Sequence, residues 1–131
     1  MLRALTFIVV VLAVAAPSAA ARSADHGGGG DVRVAGTCSS GAESRLRLKA
    51  EDDGIEVRFE LEQRRTTGAW SVKLVHERRV VWRTSARTTR SDRSFELRRT
   101  LPDLPGSDTV SAQAWGPRGL TCRATATLAA D

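Results

Sequence analysis

The chain of 131 residues has no tyrosine, one methionine, two cysteines and four prolines. Only 5% of its residues are aromatic. That scarcity argues against a surface that reads nucleic acid by sequence, which stacks bases on interleaved rings. The two histidines, His26 and His76, leave little material for a metal cluster or a catalytic base. Cys38 and Cys122 lie too far apart for a CxxC redox motif, and no second pair accompanies them to complete a zinc site. Long apolar runs are missing too. The longest, Leu5 to Ala16, falls short of the ~20 residues that a membrane-spanning helix needs.

That short run nevertheless has a job. Arg3 precedes it and the small residues of "SAAA" follow it, which is the layout of a secretory signal peptide over residues 1–21. Cleavage is expected after Ala20 or Ala21, with an uncleaved N-terminal anchor as the alternative. Residues 22–31, "RSADHGGGGD", read as a glycine-rich flexible linker, with His26 inside it. Residues 32–131 are long enough for one domain with a real core. Export brings the two cysteines into an oxidising environment, where a Cys38–Cys122 disulfide is expected to clip the first strand to the last.

From residue 32 onward the pattern is alternation. "SRLRLKA" puts Leu46, Leu48 and Ala50 on one face and Arg45, Arg47 and Lys49 on the other. "GIEVRFELEQ" does the same with Ile55, Val57, Phe59 and Leu61 against Glu56, Arg58, Glu60 and Glu62. Period two over such lengths marks half-buried strands. A two-residue turn at Asp53-Gly54 would pair Leu48 with Phe59, Leu46 with Leu61, Arg47 with Glu60 and Arg45 with Glu62, leaving Lys49 against Arg58. "AWSVKLVHERRVVWRTS" reads as a second hairpin; its "VVW" is apolar on both faces and its turn lacks glycine. "ARTTRSDR" reads as a loop or frayed edge. A strand around Phe95 and Leu97 ends at "LPDLPG", whose prolines force an irregular connection. In the last hairpin, "GPRG" predicts a three-residue loop that pairs Ala114 with Cys122, Ala112 with Ala124 and Val110 with Ala126. About eight short strands with regular turn signals predict an all-β, two-sheet antiparallel sandwich of immunoglobulin or fibronectin type, with a Greek-key barrel as the alternative.

Along "VRVAGTCSSG…RLRLKAEDDGIEVRFELEQ…WSVKLVHERRVVWRT…FELRR…LTCRATATL" the chain resembles a group of small secreted bacterial proteins with a signal peptide, two cysteines and one alternating β domain. The likeness covers nearly all of the mature chain and its motifs are structural. It implies the fold and export, and carries no catalytic residues across.

Candidate chemistry is sparse. Ser71 and Ser85 are near His76 in sequence, but no GxSxG motif supports a nucleophile, and His76 reads as a solvated turn residue. Glu60 and Glu62 could pose as a carboxylate pair, though arginines are expected to face them. "EDDG" offers Glu51, Asp52 and Asp53 to calcium, short of a full oxygen shell. The expected product is a non-catalytic, secreted or envelope-associated domain with a structural or binding role, using no cofactor and no metal. A small hydrolase or inhibitor is the remote alternative. Removing Arg3 from the 20 basic residues leaves 19 against 15 acidic ones, a net charge of +4. With both signs interspersed along the chain, this excess reads first as compositional bias. The functional alternative is an extracellular polyanion-binding module that uses Arg78, Arg79, Arg83, Arg87, Arg90, Arg93, Arg98 and Arg99, with Trp115 as a possible exposed contact. An envelope or extracellular polymer or protein is the expected kind of partner. Sequence-specific nucleic acid is not, and the mature chain has no transmembrane segment.

Overall fold

The computed structural model describes residues 30–130; the expected signal peptide and most of the linker lie outside them. The described chain forms nine strands: β1 (Asp31–Ala35), β2 (Thr37–Cys38), β3 (Ala42–Glu51), β4 (Gly54–Gln63), β5 (Gly68–His76), β6 (Arg79–Thr88), β7 (Ser94–Leu101), β8 (Asp108–Trp115) and β9 (Thr121–Leu128). A four-stranded sheet, β1-β3-β4-β7, packs against a five-stranded sheet, β2-β9-β8-β5-β6, and every pairing is antiparallel. This is the expected two-sheet sandwich with its single disulfide. β3 and β4 are joined as a hairpin within one sheet, whereas the immunoglobulin order sends its second and third strands to opposite sheets. No helix among the described residues is long and apolar enough to cross a membrane.

β1 and β2 are one run of chain broken at Gly36. The first half pairs with β3 in one sheet and the second half with β9 in the other. A side chain at Gly36 would overlap Ser44 and press on the Arg123 carbonyl, so only glycine lets the chain cross between the sheets here. Just past the crossing, Cys38 stands directly opposite Cys122 and the two are bridged, with 4.1 Å between their Cα atoms. Strand β1 also takes in the last residue of the expected linker. The Gly30 carbonyl accepts from Ala50 N, and β1 opens at Asp31.

The core follows the alternation. Large side chains from the four-stranded sheet (Leu46, Leu48, Ile55, Val57, Phe59 and Leu61) meet small ones from β8 and β9 (Val110, Ala112, Ala114, Ala124 and Ala126), and all are buried. Large against small lets the two inner faces interdigitate at native density. The last hairpin keeps the expected register around the Pro117–Gly119 turn.

Two turns differ from expectation. Glu51 pairs with Gly54, so the β3–β4 corner is Asp52-Asp53 and the register moves by two residues. An even shift keeps every apolar side chain on the inner face. Leu46 now meets Phe59 and Leu48 meets Val57, while Lys49 gains Glu56 in place of Arg58. Gly54 serves a different purpose from the turn. At φ 144°, with no room for a Cβ beside the Leu101 carbonyl, it lets β7 approach β4. At the β5–β6 corner, Glu77 (φ 49°) and Arg78 (φ 67°) take the left-handed conformations of a type I′ turn without glycine. Glu77 is held there from β8: its N–H donates to Thr109 O at 3.1 Å, and its Oε1 accepts from Thr109 N at 2.6 Å. A bulge at Val81 separates the Leu74–Trp82 and Val75–Val80 pairs and resolves the two-faced "VVW".

The disulfide closes a span of 84 residues. By loop-closure entropy alone it contributes about 4–5 kcal/mol. Cys38→Ser/Cys122→Ser should therefore lower the unfolding free energy by up to about that amount in a urea titration, with the slope altered by a more open denatured state. A change under 1 kcal/mol would mean that the β2–β9 pairing holds without the bond.

Candidate functional site

The two outer faces of the sandwich differ in charge. The four-stranded sheet presents Asp31, Arg33, Glu43, Arg45, Arg47, Lys49, Glu51, Glu56, Arg58, Glu60, Glu62, Glu96 and Arg98, with both signs laced together. Arg47 grips Asp31 with two hydrogen bonds, at 2.9 and 2.6 Å. Arg58 pairs with Glu56 at 2.7 Å, and Arg98 pairs with Glu96. Glu60 faces Arg45, but Glu62 lies opposite Glu43 rather than Arg45, because of the shifted register.

The outer face of the five-stranded sheet is of another kind. β9 supplies Thr121, Arg123, Thr125 and Thr127; β8 supplies Thr109, Ser111, Gln113 and Trp115; β5 supplies Ala69, Ser71, Lys73 and Val75; β6 supplies Arg83, Ser85 and Arg87. None is acidic. Arg123, Gln113, Lys73 and Arg83 form one row across four strands, each strand about 4.8 Å from the next. Hydroxyl pairs follow: Ser111 with Thr125 at 2.8 Å and Thr109 with Thr127 at 3.0 Å. Trp115 is 44% exposed, and Lys73 Nζ sits 5.4 Å from its ring centre, a cation–π contact. The nearest acid along the chain, Glu77, lies in the turn at the end of this face, bonded to Thr109 N.

The arginines of 78–99 form a flank rather than a face. β6 and β7 are the edge strands of the two sheets and lie side by side, with Arg99 stacked 5.0 Å from the Trp82 ring across the seam. Arg83 and Arg87 join the outer face of the five-stranded sheet, opposite Lys73 and Ala69. Arg98 points to the other outer face and is neutralised by Glu96. Arg78 and Arg79 stand at the β5–β6 corner. Arg90 and Arg93 lie between β6 and β7, and the Arg93 guanidinium donates to the Arg64 carbonyl. Lys73, Gln113 and Arg123 were missed from sequence because they sit on three strands far apart in the chain. Only the β5–β8–β9 pairings bring them into line.

His76 is a correction. It is buried, at 4% exposure, and its Nε2 lies 2.7 Å from Asp108 Oδ1, which is equally buried and also accepts from Leu104 N. The signal was present in the parity Trp70, Val72, Leu74, His76, which puts His76 on the inner face. Ser71 and Ser85 pair with each other on the opposite, outer face, so they cannot reach it. His76, Glu77 and Asp108 are the one grouping with metal-ligand geometry among the described residues, their ligand atoms within 4.8 Å of one another. His76 Nε2, Asp108 Oδ1 and Glu77 Oε1 are engaged in hydrogen bonds within the chain. No family model, curated protein or solved structure matches the chain.

Two outcomes test these contacts. Asp108→Ala strands a buried imidazole and should cost about 1–3 kcal/mol in chemical denaturation, with His76→Ala/Asp108→Ala less than additive. The Arg47 hydrogen bonds hold the Asp31 carboxyl below its ordinary value of 3.8, and Arg98 likewise lowers Glu96 from 4.5. A lowered folded pKa means that this stabilisation is complete above those ordinary values and is lost as pH falls through the folded ones. Asp31→Asn should thus flatten the acid limb of a stability-against-pH curve and leave the neutral limb parallel to the parent. An unchanged acid limb would show that Asp31 does not contribute.

Proposed function

We propose that this domain is an exported, non-catalytic binding module for polyanions. It would engage them with the acid-free face of the five-stranded sheet and the arginine flank that continues from it. The observation that carries this reading is the segregation of charge. Among the described residues, Lys73, Arg83, Arg87 and Arg123 share one outer face with no carboxylate, while on the other outer face Arg47, Arg58 and Arg98 are each paired with an acid. A flat surface of one sign attracts a counter-charged polymer over roughly a Debye length and binds it by releasing its counterions. The disulfide fits an oxidising, extracytoplasmic compartment, in keeping with the signal-like N-terminus.

The exported, disulfide-bonded protein should bind heparin or polyphosphate with an affinity that falls steeply with salt. Lys73→Gln/Arg83→Gln/Arg87→Gln should weaken binding and reduce the log–log salt slope by about 3, roughly 1 per contact. Arg45→Gln on the opposite face should leave both unchanged. Salt-independent binding, or equal losses from the two faces, would refute the assignment.

A further inference from the structure

Beside Trp115, on its β9 and β2 side, the outer face of the five-stranded sheet sinks into a shallow trough of about 550 Å³. It lies over the Cys38–Cys122 bridge, and its lining includes Thr37, Gln113, Trp115, Thr121 and Arg123. Lys73 approaches the indole from the opposite side, from β5. Gln113 and Arg123 are cross-strand partners, and neither side chain makes an ion pair or hydrogen bond among the described residues. The trough therefore offers one exposed aromatic wall, one unneutralised guanidinium, a free amide and hydroxyls, with no carboxylate.

We infer that this trough binds the sugar units of an acidic polysaccharide, a chain of pyranose rings bearing carboxylates. The inference rests on the polyanion reading above and names its ligand class. The apolar face of a sugar ring lies on the Trp115 indole. The ring carboxylate meets the Arg123 guanidinium in the planar geometry that favours arginine over lysine. The ring hydroxyls take the Gln113 amide and the threonine hydroxyls, groups that both donate and accept. A polyphosphate or an acidic peptide has no ring to place on the indole. Single-stranded nucleic acid stacks successive bases on several rings, and Trp115 is the one aromatic of the described residues on this face. Beyond the trough, Lys73 and Arg83 continue the cation row along which further acidic units lie.

The test titrates the exported protein with oligogalacturonate, polyglutamate, polyphosphate, single-stranded DNA and neutral maltohexaose, read by calorimetry at fixed salt. Oligogalacturonate should bind at least tenfold more tightly than polyglutamate of equal charge, and maltohexaose weakly. Trp115→Ala should weaken oligogalacturonate at least tenfold and polyglutamate less than twofold, with Trp115→Phe restoring most of the loss. Arg123→Gln should weaken both. An unchanged thermal melt establishes that the variants fold. Equal sensitivity of all polyanions to Trp115→Ala, or none, would overturn the sugar assignment and leave the polyanion module standing. Preferential binding of DNA would do the same, whereas preferential binding of neutral maltohexaose would overturn the charge requirement on which both readings rest. Failure of every polyanion to bind would overturn both.

Discussion

The break at Gly36 is the constraint on which the rest of the sandwich depends. One short run of chain pairs first with β3 and then with β9, so both sheets share a strand along one side. No side chain fits at the crossing point, and two residues later the Cys38–Cys122 bridge locks the second half in place. A flat pair of sheets would have two open sides; this one has one. The open side falls to β6 and β7, the edge strands of the two sheets. Exposed edges invite unwanted pairing, and charged side chains are a common guard against it. Arginines along β6 and β7, with Arg99 laid over Trp82, fit that role as well as binding.

Behind that frame the two sheets divide their labour by side-chain size and by charge. Leucines, isoleucine and phenylalanine on the four-stranded sheet fill the space that alanines on β8 and β9 leave. The outer face of the four-stranded sheet carries nearly balanced charge, much of it tied up in its own ion pairs. Exposed pairs of this kind add little stability singly. Among the described residues, the outer face of the five-stranded sheet holds its cations without acidic partners. Charges left unneutralised side by side repel modestly, and a bound anion relieves that repulsion. The buried polar groups answer to the same division. His76 and Asp108 satisfy each other inside, and Gln63 accepts from the Trp70 indole at 2.7 Å and from Thr88. Neither cluster reaches the outer faces.

Much of the fold was legible from period two alone. The strands, the inner faces, the last hairpin's register and the disulfide all follow from alternation, turn residues and compartment. The β3–β4 register was read two residues off because Asp-Gly is so strong a turn signal. Here the glycine is needed for the approach of β7, a contact that no local pattern encodes. His76 was misread because a histidine next to charged turn residues looks solvated, although its parity with Trp70, Val72 and Leu74 already pointed inward. Its partner Asp108 lies 32 residues away and is brought to it by the pairing of β5 with β8.

The sequence by itself determined the class of fold, which side chains go inward and the net positive charge, because each depends on residue identity and spacing of two along one strand. It showed acids gathering over residues 43–62 and arginines over 78–99, but not which of them would share a face. The order of strands sets the acidic β3 and β4 side by side in one sheet, while β5, β6, β8 and β9 bring no acid to the outer face of the other, since Asp108 of β8 is buried. The acid-free face and the trough at Trp115 are therefore properties of strand neighbours, set by hydrogen-bonded pairing between segments up to 86 residues apart in the case of Thr37 and Arg123.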